Sequence, residues 1–156
     1  MLDLSAPPPA ELHNTPRELV IKDGRGRPLG GDAAPVTLLV VGCYSDAYVS
    51  TQRAVAVQAL LRSPKSSEDA MAERLRKFDV GLDILVACVT DWRNVAENGL
   101  PAKCTPDKVR TLLKGYPFAR EQLELFIHAD RNFTQGGLPS SSTGPVSSSP
   151  STTPTP

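Results

Sequence analysis

Asp79 and Asp83 are the two residues whose spacing best fits a metal site or a proton-sharing pair. Four positions apart on a helix, their carboxylates share one face, where oxygen ligands can hold a metal ion or share a proton. No histidine or glutamate accompanies them in the pattern of a helical metal site. We therefore expect a solvated helix flank, with no metal and no other cofactor.

Cys104, His128 and Asp130 supply the side-chain types of a nucleophile, a base and an orienting carboxylate. Their spacing gives no sign that they meet in space, and almost any chain offers such a trio. The remaining histidine, His13, lies in a proline-rich stretch. The sequence therefore predicts no catalytic residues and a protein that is not an enzyme.

Residues 24–27 read Gly-Arg-Gly-Arg, and Gly30-Gly31 follow closely, as in loops that cradle phosphate groups. The segment lacks the Walker lysine, and Pro28 and a second predicted strand stand where a phosphate loop would lead into a helix. A hairpin loop is the favoured interpretation.

Charge and cysteine content disfavour several classes of partner. Lysine and arginine number 17, as do aspartate and glutamate, so no net basic field attracts nucleic acid or an anionic membrane. Cys43, Cys88 and Cys104 form no Cys-x-x-Cys pair, which predicts reduced, mostly buried thiols. No apolar run approaches the ~20 residues of a membrane span, and we expect a cytosolic protein.

The longest predicted element is a helix over residues 66–89. A capping box at its start precedes a seam of apolar residues at helical spacing, and these are Met71, Leu75, Phe78, Leu82, Leu85 and Val89. Before it, Ser45 predicts the N-cap of a helix that continues to Leu61. This second helix is apolar around much of its circumference, so we expect it to be largely enclosed and to form the core with the long helix.

The remaining elements are short. β-branched residues predict strands over 18–22 and 36–41, which form a small antiparallel unit. A loop is predicted over 90–104, and Thr-Pro-Asp then opens a helix over 106–115. A last helix is predicted over 117–133.

The predicted fold class is mainly α, with a small N-terminal antiparallel β unit (α+β). We expect a flexible arm over 1–16, a single helical domain with an N-terminal β-hairpin over 17–133, and a disordered tail over 134–156. The tail consists largely of serine, proline and threonine. Such residues cannot bury enough apolar surface to offset a backbone entropy of roughly 1–2 kcal/mol per residue.

Trp92, the only tryptophan, lies in the predicted loop. One interpretation is a lid over the ends of the helices. The other is an anchor for a protein partner, together with Arg93, because tryptophan and arginine dominate interface energies.

The order of several short motifs resembles that of the tail assembly chaperones of long-tailed phages. The pattern is a glycine and a serine before the first helix, a tryptophan after the long helix, a Thr-Pro-Asp helix start, a Tyr-Pro step and an Arg-Asn-Phe end. In this chain the motifs are Gly42 and Ser45, Trp92, Thr105 with Pro106 and Asp107, Tyr116 with Pro117, and Arg131 with Asn132 and Phe133. The resemblance covers residues 18–133.

This resemblance implies a non-enzymatic phage protein that works in the host cytoplasm and is absent from the mature virion. Its partners would be the tape-measure protein, the tail-tube protein and a longer, frameshifted form of itself. The candidate partner-binding residues are Trp92, Arg93, Tyr116, Phe118 and Phe126. The alternative is a small regulatory or adaptor protein that binds a host protein or another phage protein.

Overall fold

A small antiparallel sheet and several helices make up the part of the chain that the structure describes. This computed structural model describes residues 9–61 and 79–134. Helices predominate, which confirms the predicted mainly α, α+β class. The predicted capping box at 66–69, the seam residues before Asp79 and the predicted tail from residue 135 onward lie outside the described residues.

The sheet has three strands in the order β1-β2-β3, formed by Arg17–Val20, Thr37–Val40 and Val89–Arg93. Neighbouring strands are antiparallel, as predicted for the first two. Leu38 in the central strand is fully buried and pairs with Trp92 on β3.

Strand β3 replaces the loop that was expected after residue 89. It also ends the preceding helix at residue 88, one residue before the predicted end. The side chain of Thr90 donates a hydrogen bond to the carbonyl oxygen of Leu39 at 3.1 Å. Pairing with β2 therefore makes a strand of this segment, although its charged residues have a low propensity for β-structure.

The helices and a second, two-stranded sheet complete the described fold. The helices are α1 (Pro9–Asn14), α2 (Asp46–Leu60), α3 (described over 79–88), α4 (Pro106–Gly115), α5 (Pro117–His128) and α6 (Arg131–Thr134). Strands β4 (Ala96–Glu97) and β5 (Leu100–Pro101) form a small hairpin between β3 and α4. Prolines at the first positions of α4 and α5 confirm both predicted helix starts.

The last predicted helix is divided in two. Ala129 has an extended backbone, with φ −85° and ψ 96°, so α5 ends at His128. The short helix α6 follows, and the side-chain amide of Asn132 donates to the carbonyl oxygen of Phe126 at 2.9 Å. The same carbonyl oxygen also accepts the backbone N–H of Ala129 at 3.3 Å, so both bonds close the end of α5.

The core joins the sheet to α3, α4 and α5. Its helical members are Leu82, Leu85, Val86 and Cys88 of α3, Val109 and Leu113 of α4, and Ala119, Leu123 and Ile127 of α5. The apolar positions recur at helical spacing, which is why each helix buries one face. The described end of α3 thus buries Leu82 and Leu85 of the predicted seam, and it packs on the sheet, α4 and α5 where the sequence predicted α2.

Helix α2 is exposed, whereas the sequence predicted a largely enclosed helix. All of its 15 residues are at least partly accessible, and Leu60 is 84% exposed. Only its beginning is fixed to the domain, where Ser45 caps it as predicted by accepting the N–H of Tyr48 at 3.3 Å. An apolar composition on all sides does not say which face is covered. Helix α2 contributes no fully buried residue to the core, and its Ala47 and Tyr48 pack against it.

Residues 9–14 form a helix where the sequence predicted a flexible arm. His13 on this helix is fully buried, and its ring stacks on Phe133 with 4.6 Å between ring centroids. Gly42 lies against the ring and donates its backbone N–H to the carbonyl oxygen of His13 at 2.9 Å. Residues 9–14 are therefore held by contacts with residues distant in sequence, which local pattern cannot reveal.

We call the space that the imidazole of His13 fills the His13 socket; it is formed by Gly42, Tyr44, Asp130 and Phe133. The backbone N–H of Tyr44 donates to Nδ1 at 3.4 Å, and Nε2 lies 3.0 Å from Oδ1 of Asp130. A ring that accepts at Nδ1 carries its proton on Nε2 and donates it to the carboxylate. The socket thus holds the N-terminal helix α1 against α6.

Replacing Gly42 with alanine is expected to destabilise the domain by about 1–3 kcal/mol or more. A Cβ at this position would lie 1.9 Å from Nδ1 of His13, so the ring and α1 must move. The matched control is Gly24→Ala, because a Cβ there has no neighbouring atom within 4 Å. Urea denaturation would compare the two variants, and equal stability of both would contradict the steric role of Gly42.

Candidate functional site

The two predicted carboxylates of α3 form ion pairs with α4. Asp79 lies 3.5 Å from the ammonium group of Lys114, and Asp83 pairs with the guanidinium of Arg110. Among the described residues, no cluster of three or more His, Cys, Asp and Glu side chains could hold a metal ion. The two acids thus act in the contact between two helices.

The three residues considered for nucleophilic catalysis have different neighbours. Asp130 partners His13, and the ring of His128 packs edge-on against Tyr48 with centroids 5.7 Å apart. Burial raises the pKa of the Cys104 thiol, and the nearby carboxylate of Asp91 raises it further. A thiol with a raised pKa is a poor nucleophile at neutral pH.

The Gly-Arg-Gly-Arg segment forms a hairpin loop, as predicted. Residues Lys22 and Pro28 pair across its base, and the carboxylate of Asp23 accepts the backbone N–H groups of Arg25 and Arg27 at 2.8 and 3.0 Å. The hydrogen bond from Arg27 is the main reason why the pKa of Asp23 is lowered. The loop's own acid therefore occupies N–H groups that a phosphate would need.

The three cysteines are free thiols, as predicted, but only Cys88 is fully buried. Burial raises the pKa of Cys88 to about 12, and the neighbouring Cys43 contributes to the increase. Burial likewise raises the pKa of Cys43, which is partly accessible. Each of these thiols is protonated at neutral pH.

Trp92 forms one wall of an apolar groove. Its side chain is only 7% exposed, and its indole N–H donates to the carbonyl oxygen of Ala102 at 2.7 Å. This bond ties β3 to the segment that follows the β4–β5 hairpin. Because the polar edge of the ring is satisfied, its apolar surface can line the groove without cost.

We call this feature the Trp92 groove. Its volume is about 540 Å³, and its apolar lining includes Leu29, Val36, Val95, Ala102 and Leu112. Tyr116, which is 44% exposed, stands at its edge. The ion pair between Lys108 and Glu97, at 2.6 Å, lies on the rim. An apolar floor with a polar rim is suited to apolar side chains of a ligand.

The structure brings some of the five predicted contact residues together and separates others. Trp92 and Tyr116 share the groove, and the rings of Tyr116 and Phe118 meet edge-on with centroids 5.6 Å apart. Phe126 instead packs edge-on against Phe133, beside the His13 socket. Arg93 pairs with Glu18 of β1 at 2.7 Å. The five residues therefore do not form one surface.

Sequence reasoning missed the β4–β5 hairpin that borders the groove. Asn98 and Gly99 both have positive φ, 54° and 80°, as in the two-residue turns that join antiparallel strands. The Asn-Gly pair was the signal that could have located this hairpin. Leu100, beside the turn, is 70% exposed.

Comparison of the chain with family models, with curated proteins and with solved structures finds no match. Within the described ranges, no helix has the length and apolar character needed to cross a bilayer. The groove offers apolar surface and shape, which are the properties of a binding site.

Replacing Cys88 with alanine is expected to reduce the loss of stability at alkaline pH. The thiol pKa is 9.0 in the unfolded chain and about 12 in the folded protein, so unfolding releases a proton between these values. The stabilising contribution is complete below pH 9 and is lost as the pH rises toward 12, at about 1.4 kcal/mol per pH unit. Urea denaturation at several pH values between 8 and 11 gives the free energy of unfolding at each pH. This free energy should fall less steeply with pH for Cys88→Ala than for the unchanged protein, and an equal fall in both would contradict the prediction.

Trp92→Ala and Tyr116→Ala are expected to differ in their effect on stability, because Trp92 is buried in the domain and Tyr116 is exposed. Loss of the buried tryptophan should destabilise the domain by about 3–5 kcal/mol, because a cavity forms and the carbonyl of Ala102 loses its donor. Loss of the exposed tyrosine should cost less than about 1 kcal/mol. Urea denaturation followed by circular dichroism measures both, and a Tyr116→Ala variant as unstable as Trp92→Ala would assign Tyr116 to the core.

Proposed function

We propose that this protein is a non-enzymatic tail assembly chaperone, which binds apolar helical segments of a phage tape-measure protein and promotes polymerisation of the tail tube around it. The observation that carries the proposal is the Trp92 groove. An amphipathic helix binds such a groove by inserting side chains spaced three or four residues apart. The volume of about 540 Å³ lies in the range of ligand pockets and has room for such side chains.

The exposed edge of the groove supplies the contact chemistry. Tyr116 presents an aromatic ring with a polar end, and such residues contribute strongly to binding when a partner covers them. Lys108 and Glu97 on the rim neutralise each other, so the groove has no strong charge preference. A neutral apolar site fits the function of covering apolar helix faces until assembly buries them.

The motifs that resemble those of tail assembly chaperones have roles that agree with this proposal. Gly42 and Phe133 build the His13 socket, and Ser45 caps α2. Trp92 and Tyr116 belong to the groove. The motifs thus divide into residues that hold the domain together and residues that line its apolar surface.

The same proposal places the protein in the host cytoplasm during assembly and outside the finished virion. Its further partners would be the tail-tube protein and a longer, frameshifted form of this chain. A regulatory or adaptor protein that binds a host factor would use the same groove for a different partner, and the experiment below distinguishes the two.

Co-expression with the tape-measure protein of the same genome tests the function. We expect the tape-measure protein to become soluble and to co-purify only when this chain is present. Tyr116→Ala should weaken the complex by about five- to thirtyfold, which corresponds to about 1–2 kcal/mol at a contact residue. Fluorescence of the only tryptophan, in the groove wall, would follow titration with tape-measure peptides.

The matched control is Leu125→Ala on α5, a residue that is 74% exposed and does not line the groove. It should bind as the unchanged protein does. A tape-measure protein that stays insoluble, with no co-purification, would reject the chaperone function. Co-purification that Tyr116→Ala leaves unchanged would reject the groove as the contact surface.

A further inference from the structure

One edge of the β4–β5 hairpin is open at the Trp92 groove. In this hairpin Ala96 pairs with Pro101, and the N–H of Ala102 donates to the carbonyl oxygen of Val95 at 2.9 Å. Proline has no N–H, so Ala96 and Pro101 form a pair without hydrogen bonds between them. The N–H and the carbonyl group of Ala96 therefore point away from β5, and neither has a hydrogen-bond partner among the described residues.

The groove lies along this open edge. Its lining includes the three consecutive residues Val95, Ala96 and Glu97 and neither residue of β5. Successive residues of a strand point to opposite faces, so a space that touches all three lies beside the edge of the strand. A helix satisfies its backbone groups internally and cannot use Ala96, whereas an extended segment can exchange two hydrogen bonds with it.

The floor of the groove lies on one face of β4. Val95 is partly buried and packs against the core, whereas Ala96 is exposed. Residues that pair across two strands direct their side chains to the same face. An extended segment beside β4 would therefore bond to Ala96 through one residue and place the side chain of the next residue on the apolar floor.

The chain itself contains a segment with suitable composition. Residues 135–156 have no charged side chain, and their apolar side chains other than proline are those of Leu138 and Val146. The rim of the groove is also neutral, because Lys108 and Glu97 pair with each other. An uncharged segment with one apolar side chain thus meets neither a repulsive charge nor an unpaired one at the rim.

Helix α5 sets the distance that such a segment has to span. Tyr116 at the edge of the groove directly precedes α5, and Asn132 holds α6 at the other end of this helix of 12 residues, which is about 18 Å long. Leu138, four residues after Thr134, reaches at most about 14 Å. A linker of 12 Gly- and Ser-rich residues, the separation of Val146 from Thr134, has a root-mean-square length of about 17–21 Å. Val146 therefore matches the distance, and Leu138 falls short of it.

We propose that residues 144–148 of the same chain occupy the Trp92 groove as a short antiparallel strand beside β4. Ser147 exchanges two hydrogen bonds with Ala96, and Val146 places its side chain on the apolar floor. In this register Pro145 falls opposite Asn98 in the turn, beyond the last pair of β4, so its missing N–H leaves no bond unmade.

The link within one chain makes a weak contact sufficient. A short flexible linker raises the effective concentration of a bound segment to the order of millimolar. A contact with a dissociation constant of about 0.1 mM would then be filled about nine-tenths of the time. Any partner that enters the groove has to displace this segment. The proposal uses the geometry of the groove and does not depend on the proposed function, because it requires no phage partner.

Hydrogen exchange of the Ala96 amide, measured by NMR on the full chain without a partner, tests the proposal. A groove filled to that extent slows the exchange by about tenfold. Val146→Asp should remove most of this protection, because it places a charge on the apolar floor. The matched control is Leu138→Asp, which introduces the same charge at a position that cannot reach the groove. It should exchange as the unchanged protein does.

The same measurement at about tenfold lower protein concentration identifies the source of the segment, because binding within one chain does not depend on concentration. Protection that only Val146→Asp removes, and that dilution leaves unchanged, supports the proposal. An Ala96 amide that exchanges freely in the unchanged protein overturns it and leaves the groove open to a partner.

Three further results would also overturn the proposal. Protection that survives Val146→Asp would mean that another segment covers the edge. Protection that Leu138→Asp removes as well would mean that residue 146 has no special place in the contact. Protection that falls on dilution would mean that a second copy supplies the segment. None of these results involves the tape-measure protein, so each can be told apart from a failure of the chaperone function.

Discussion

The close approach of His13 to Gly42 is the constraint on which both ends of the domain depend. A glycine at this position leaves room for the imidazole, which stacks on Phe133 and reaches Asp130. The same contact sets Asn14 beside the start of α2. The absence of a side chain at Gly42 thus lets α1 pack closely against α6 and against the start of α2.

Two apolar surfaces in the described part of the chain differ in kind. The Trp92 groove is concave and is built on the sheet and α4, so its shape is preformed by the core. The outer part of α2 is convex and lacks support from the described domain. A concave preformed site is suited to an inserted ligand, whereas a convex helix is suited to another helix.

Local chemistry made part of the fold predictable. Ser45, Pro106 and Pro117 identify helix starts because caps and first-turn prolines act within one turn. The exposure of α2 and the burial of His13 were not predictable, because each depends on residues far away in the chain. The groove was predictable only in part, since Trp92 was singled out while the hairpin beside it was assigned to a loop. Composition tells that a residue is apolar, but topology decides what covers it.

The contact between His13 and Asp130 joins residues that are 117 positions apart, which has a consequence for synthesis. At ribosomal rates of about 5–20 residues per second, the second residue follows the first by roughly 6–23 seconds. During that interval α1 has emerged while half of its socket does not yet exist. Helix α1 therefore meets its complete socket only after residues 130–133 have been made.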